Sequence, residues 1–371
     1  MQAAPHMPLK SVVGILLFSP SILPAEELHL TKPPPYQVVQ REGYIPAQAH
    51  EHQPGGPALG HGLVPLAGEF PSGGKAALEF RVVKLAGATG RDSDWAALDV
   101  KAVGDSWQAV ADVPAGGWYK LEVRARRGDQ IAATTVVEPV GVGEVLLITG
   151  QSYAAGANEE LTRITDPSSR VAAYDSITKT WQVAHDPQPN VGDGGTIWPP
   201  MANQLLPLVR VPIGLVNVAV GGTASRQWLP GESLYENLAA AGKATGRFRA
   251  VLWQQGESDV IERTGTNTYV QRLVKIRAAL SDEWGFDPPW LLAKSTLHPT
   301  VYDRPEEEGR IRVAIDQLWD LPGFRPGPDT DILGDENRGG AGTRRHFSAI
   351  GQQRAGWMWA AQIWCEINRR E

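Results

Sequence analysis

A serine, a histidine and a few well-aimed N–H donors are enough for acyl transfer, and this chain carries them in separate short blocks. Ser152 ends the run "VLLITGQSYAAG", with the small residues Ala154, Ala155 and Gly156 close behind it. "AVGGT" brings Gly221, Gly222 and Thr223 after a second apolar run, and "WQQGESD", Trp253 to Asp259, closes a third. His346 stands in "RRHFSAIG", just before the last helical pattern. A serine nucleophile needs a base within hydrogen-bond reach and donors directed at the oxyanion of its tetrahedral intermediate. His346 is the candidate base. The Ser152 N–H, a glycine N–H at Gly221 or Gly222, where no side chain blocks close approach, and the Gln255 amide are the candidate donors. Each block alone also has a plain reading, as a turn after a strand or a structural histidine beside a helix start. Their chemical meaning depends on their being brought together.

For that to happen, the apolar runs ahead of them must lie side by side. "VGEVLLIT", "VPIGLVNVAV" (211–220), "FRAVLWQQ" (248–255) and "PWLLAKST" (289–296) read as strands of a sheet covered on both faces, with "TDIL" (330–333) as a fifth. Between them, Tyr269, Leu273, Ile276, Leu280 and Trp284 recur at three- and four-residue steps and predict an amphipathic helix over 268–284. "RIRVAIDQLW" (310–319) and "AIGQQRAGWMWAAQIW" (349–364) follow the same period. Strands alternating with helices predict an α/β fold with a parallel, doubly wound sheet, whose ligands gather at the carboxyl ends of the strands. Ser152 then stands at the sheet edge, and the small residues after it leave room for an acyl group.

Residues 26–140 follow another pattern. "YQVV", "ALEFRVVKL", "WAALDVKAV", "WQAVADV", "WYKLEVRAR" and "IAATTVVEPV" are short β-like runs separated by Gly, Pro and Asp turns. In "WYKLEVRAR", Tyr119, Leu121, Val123 and Ala125 fall on one face and Lys120, Glu122, Arg124 and Arg126 on the other, a period of two that marks a sheet with one wet side. A β-sandwich-like unit fits. Ahead of it, Lys10 and "SVVGILLFSPSIL" have the length and polarity of a secretory signal cut near Ala25, too short to span a bilayer. Residues 1–25 are therefore expected to be a leader, and the protein secreted or periplasmic.

Composition removes several classes. The net charge of −6 gives no basic face for nucleic acid. Cys365 is the only cysteine, so no intrachain disulfide and no Cys-based zinc site can form. His50 and His52 in "HEH" lack a supporting carboxylate or Cys framework and read as a loop, and His185 with Asp186 reads as a surface loop. His6, His29 and His61 belong to no motif.

Taken together, the four blocks resemble the SGNH (GDSL-like) hydrolases, in particular the carbohydrate-esterase branch that includes sialate O-acetylesterases. Gly150-Gln151-Ser152 matches the first block and 221–223 the second. Trp253, Gln255, Gly256, Glu257 and Asp259 match W-x-Q-G-E-x-D in full, and His346 falls in the last block. The resemblance covers about 141 to 371. It implies a three-layer α/β/α catalytic domain over 141–371, preceded by the β-sandwich-like domain of 26–140. It further implies a serine esterase that removes O-acetyl groups from carbohydrates through an acetyl-enzyme, without metal or organic cofactor. Carried over by position, Ser152 is the nucleophile and His346 the base. Gly221 or Gly222 and Gln255 complete the oxyanion hole with the Ser152 N–H. Gln151, Glu257 and Asp259 are supporting residues, the last two as buried braces of the loop holding Gln255. With an ordinary imidazole pKa for His346, the rate rises between about pH 6 and 7.

One position departs from the family. Many members have Asp three residues before the histidine, where this chain has Thr343. That acid fixes the imidazole tautomer and stabilises the imidazolium. Three solutions are open: a Ser–His dyad with a backbone carbonyl holding the ring N–H; an acid folding back from "DTDILGDEN" (Asp329, Asp331, Asp335 or Glu336); or an inactive site. "R-x-x-H-F-S" is similar to dyad-like sialate esterases and favours the first. Arg226 and Trp228, close after the Gly-Gly-Thr turn, and Arg345 beside the histidine are candidate substrate contacts. His298 in "STLHPT" lies past a strand end, where it can border the site. Two rival readings remain: a carbohydrate-binding protein that kept the fold and lost the acid, and a lipase or thioesterase on the same fold. The polar, Gly-rich "GDENRGGAGTRRH" beside His346 argues against the latter, which needs an apolar acyl channel.

Overall fold

The computed structural model describes Met1 and residues 26–46, 56–71, 74–190, 192–339 and 343–369. The expected leader and the "HEH" loop lie outside the described residues. Ten strands come first: β1 (Glu26–Glu27), β2 (Leu30–Lys32), β3 (Val38–Gln40), β4 (His61–Glu69), β5 (Ala77–Thr89), β6 (Ala96–Ala97), β7 (Lys101–Val103), β8 (Ser106–Pro114), β9 (Gly116–Arg127) and β10 (Gln130–Gly150). Alternation decides their faces. Tyr119, Leu121, Val123 and Ala125 of β9 are all fully buried, as their period of two requires. β2, β4, β8 and β7 form one antiparallel sheet, and β5 and β9 pair antiparallel alongside β10.

β10 is the hinge of the architecture. Its first half pairs with β9, residues 141–143 pair with β3, and residues 144–150 enter a second sheet between two parallel neighbours. The strand therefore runs unbroken across residue 140, where the change of sequence pattern suggested a boundary. The remaining elements are α1 (Ser152–Ala155), β11 (Val171–Asp175), β12 (Thr180–Val183), α2 (Trp198–Val209), β13 (Ile213–Asn217), α3 (Ser233–Thr245), β14 (Ala250–Gln254), α4 (Glu257–Ile261), α5 (Thr266–Trp284), β15 (Trp290–Lys294), α6 (Pro305–Trp319), β16 (Phe324–Asp329), β17 (Arg338–Gly339), β18 (His346–Phe347) and α7 (Ala349–Ile367). The second sheet has the order β12-β11-β13-β10-β14-β15-β16, all parallel except β12. The fold is mixed α/β with one large mixed sheet.

The fully apolar strands earn their place by burial on both faces. Leu146 and Ile148 point into one hydrophobic cluster, Val145 and Leu147 into the other. Each such side chain contributes roughly 1.5–3 kcal/mol on burial. On the first face α7 packs against α2, with Trp198 and Trp359 in ring contact at 5.8 Å. Gly356 permits the approach, since a Cβ there would fall 2.7 Å from the Met201 nitrogen. α7 begins at Ser348, whose hydroxyl caps the Gly351 N–H. α3, α5 and α6 cover the other face. "TDIL" is not a strand: Thr330–Ile332 is a 3-10 turn, and the fifth strand is β16, just before it. The prolines and glycine of "FRPGPD" hid β16. Among the described residues, no helix is long and apolar enough to cross a membrane.

Candidate active site

β10 occupies the middle of the parallel sheet. The chain leaves it to build β11 and β13 on one side, then β14, β15 and β16 on the other, so the carboxyl end of β10 lies at the topological switch point. Gly150 makes the exit turn. Its φ is +127°, and a Cβ would fall 2.1 Å from the Gln254 carbonyl oxygen. The Gln151 N–H donates to that oxygen at 3.0 Å, and Ser152 opens α1 directly afterwards. On the other side the Val220 N–H donates to the Gly150 carbonyl at 3.0 Å, which draws the Gly-Gly turn against the serine. A Cβ on Gly221 would lie 3.7 Å from the Ser152 Cβ, whereas Gly222, at φ +72°, faces open space. No other backbone group among the described residues takes the N–H of Ser152 or of Gly221.

Gln255 departs from its expected role. It is fully buried, and its Nε2 is committed to the Gln151 Oε1 at 3.2 Å, the Thr223 carbonyl at 3.1 Å and the Asp259 Oδ2 at 2.7 Å. Its Oε1 accepts from the Tyr269 hydroxyl at 3.0 Å. With those donors spent inside the protein, Gln255 braces the site and does not face an oxyanion. Gln151 and Asp259 belong to the same hydrogen-bond network. The Gln151 Oε1 also accepts from the Ser258 N–H at 3.1 Å. Asp259 takes the Ser225 N–H and hydroxyl, both at 2.7 Å, and one N–H of Arg272 at 3.2 Å. Glu257 is fully buried, accepts from the Ser295 hydroxyl at 2.6 Å and leaves its Oε2 without a partner. Burial pushes its carboxyl up to about 8 despite the Ser295 hydrogen bond.

His346 lies on β18, paired with β17 through Gly339. Two ties hold this ribbon to the serine. The Asn158 Nδ2 donates to the Tyr153 carbonyl at 2.9 Å, while its Oδ1 accepts the Phe347 N–H at 3.2 Å. The Tyr153 hydroxyl is 2.9 Å from both the Leu297 and the Arg345 carbonyls, and it accepts from Arg338. One tyrosine thus links the loops of two histidines. Its ring lies 5.3 Å from His346 and 6.1 Å from His298, and the two imidazoles are 5.5 Å apart. No hydrogen bond joins Ser152 to His346. Catalytic contacts of this kind commonly tighten only around substrate.

The electrostatics of the pair are one-sided. Burial, then Arg345 and Arg338, lower His346 to about 4. Burial, then His346, Arg345 and Arg338, lower His298 to about 4. The expectation of an ordinary imidazole is corrected accordingly. Arg338 is itself buried among the carbonyls of Leu333, Thr330 and Leu297, and no carboxylate pairs with it among the described residues.

None of the candidate acids reaches His346. Asp331 accepts the N–H groups of Thr296 and Leu297 and pairs with Arg312, which also binds Asp329. Asp335 is exposed, 3.9 Å from Arg344, and Glu336 pairs with Arg354. Two substrate-contact candidates are also corrected. Trp228 is fully buried, its ring against Trp253 and its Nε1 on the Thr223 hydroxyl. Arg226 is held by Glu262 in a bidentate surface pair. Arg345 is exposed beside the histidines. Asp186 is no surface residue: it is buried and gathers Thr162 and Thr196. His61 pairs with Asp112, and no group of metal ligands occurs among the described residues. Sequence reasoning missed Tyr153, Asn158 and Arg338, and it left His298 at the margin. The only available signal was an aromatic placed directly after the candidate nucleophile.

Residues 142–294 match the family described as "carbohydrate esterase, sialic acid-specific acetylesterase". An Arabidopsis thaliana protein named "probable carbohydrate esterase" is 29% identical over 170 residues, which cover 38% of this chain; the matched stretch spans 65% of that relative's length. The crystal structure of a carbohydrate acetylesterase from Xanthomonas citri superposes with a TM-score of 0.55 at 18% identity, covering 91% of this chain and 74% of that one, and so shares the fold. A second structure from Arabidopsis thaliana aligns over 60% of this chain and 98% of its own, with 22% identity and a TM-score of 0.47. Over residues 142–294, the chain is thus similar to carbohydrate esterases of that family.

Proposed function

We propose that this protein is a serine esterase that removes O-acetyl groups from carbohydrates. The observation that carries the reading is the meeting of three chain segments at the switch point, with Gly221 against Ser152 and His346 against Tyr153. Ser152 attacks the ester carbonyl and His346 takes its proton. The oxyanion is received by the N–H groups of Ser152 and Gly221. As the tetrahedral intermediate collapses, His346 returns the proton to the departing sugar oxygen. Water, activated by the same imidazole, then clears the acetyl-enzyme. Arg345 is the remaining candidate contact for an anionic part of the substrate. Residues 26–140 act as an accessory region ahead of the catalytic one. The protein works in secreted or periplasmic form, and N-terminal sequencing of the mature protein tests for cleavage near Ala25.

Acetate release from O-acetyl sialosides and acetyl-xylan fragments, with wild type and Ser152→Ala in parallel, tests the function. Release that vanishes in the variant supports it, and the preferred glycan names the substrate class. A second reading, a carbohydrate-binding protein without catalysis, is favoured by the absence of a carboxylate on His346 among the described residues. A serine-directed phosphonate separates the two, because only a working site labels.

A further inference from the structure

The site described above leaves one group without a task. His298 is 8% exposed, and its Nδ1 is buried without a partner; the Nε2 of His346, in the neighbouring ring, is in the same condition. A buried ring nitrogen left unpaired is costly, because it has given up water without gaining a partner. The two rings lie 5.5 Å apart, inclined at 59°. The loop of His298 is fixed from several sides. Asp331 holds the Thr296 and Leu297 N–H groups at 2.7 and 2.9 Å, Tyr302 donates to the Thr296 carbonyl, and Tyr153 donates to that of Leu297. Such bracing is what a group needs if it must present one nitrogen in one direction.

Building on the esterase reading, we propose that His298 is the positioning residue of His346: its Nδ1 lone pair accepts the N–H that His346 carries on the ring nitrogen turned away from Ser152. The vacant place of the triad acid is thereby filled by a second imidazole. When the Oγ–carbonyl bond forms, the carbonyl π electrons pass to the oxyanion and the serine proton to His346. The imidazolium keeps its other N–H on His298. When the ester C–O bond breaks, His346 delivers the proton to the sugar oxygen, and His298 neither gains nor loses one. The groups facing His298 suit an acceptor. Burial, then His346, Arg345 and Arg338, keep it uncharged, and Tyr153 and Tyr302 wall it in.

The test compares His298→Ala and His298→Asn with wild type in kcat, KM and thermal unfolding, with phosphonate labelling of Ser152 as control. In serine proteases, spoiling the orienting Asp costs about 10⁴-fold. A neutral partner contributes less, so the Ala variant is expected to lose about 10- to 100-fold in kcat, with KM nearly unchanged. Asn, whose Oδ1 can stand where Nδ1 stood, is expected to recover most of that loss. Wild-type kcat in His298→Ala overturns the proposal while leaving the esterase intact. So does an Asn variant that folds like the Ala variant and is no more active. A wild type that neither labels nor releases acetate overturns both readings.

Discussion

The hydroxyl of Tyr153 and the carbonyl of Arg345 lie 2.9 Å apart, which ties the residue after the candidate nucleophile to the residue before the candidate base. The same hydroxyl holds the Leu297 carbonyl one residue before His298. Tyr153→Phe removes both ties and strips Arg338 of one acceptor. Loss of these buried contacts costs roughly 1–3 kcal/mol of stability. Misplacement of the imidazoles lowers kcat by about 10- to 100-fold, more than it changes KM. Steady-state kinetics beside a denaturant melt check both numbers. A variant with the stability loss but unaltered kcat would show that the tyrosine is a structural strut alone.

The pH profile follows from the cations around His346. A base works only when uncharged, and a lowered pKa leaves it uncharged at lower pH. Because burial, Arg345 and Arg338 bring His346 to about 4, activity is expected to be flat from pH 6 to 7 and to fall only on further acidification. Arg345→Gln removes one of these charges at an exposed position and shifts the acidic limb upward. Rate–pH curves of wild type and variant decide the matter. A limb that stays put in the variant would remove Arg345 from the account.

The strands that carry the site were legible because burial on both faces leaves a solid apolar run, as in Val145 to Ile148. The approach of Gly221 to Ser152 was open to reading because each of their blocks stands at the end of a strand whose apolar run is visible. The direction of a side chain was not. Gln255 and Trp228 have the types expected at a substrate edge, yet both turn inward, and only the tertiary partners Asp259 and Trp253 reveal it. β16 was hidden by its prolines, which an edge strand tolerates. The His298–His346 pair joins positions 48 residues apart by subtraction of their numbers, and no local pattern encodes such a contact.

Thr343 is exposed and accepts the Arg345 N–H at 3.4 Å. Thr343→Asp places a carboxylate three residues before His346. An anion near His346 stabilises its imidazolium, so the His346 pKa rises and the acidic limb moves up. If His298 already orients the ring, kcat changes by less than about tenfold. A far larger gain in Thr343→Asp than in wild type would mean that His346 is poorly held without the acid, contrary to the histidine pair. Comparing kcat in Thr343→Asp with that in Thr343→Asp/His298→Ala measures how far the two groups substitute for one another.

Glu144 binds the N-terminal strands to the parallel sheet. It sits where β10 leaves β3 for β13, and its fully buried carboxylate accepts from the Arg41 Nε at 2.7 Å, the Arg249 Nε at 2.7 Å and the Gln40 Nε2 at 3.0 Å. Burial alone would raise its pKa, but Arg249 and Arg41 overcome this and hold it at about 2. Removing one partner from such a cluster leaves buried cations uncompensated, so Glu144→Ala is expected to cost about 3–5 kcal/mol at pH 7. The sign of the pH dependence follows from the depressed value. Stabilisation by the carboxylate is complete above its ordinary 4.5 and disappears as pH falls toward about 2. The difference between wild type and Glu144→Ala is therefore expected to shrink across that window. Urea melts of both proteins from pH 7 down to pH 3 measure it, and a difference that holds constant over the window would show that the cluster acts through packing rather than charge.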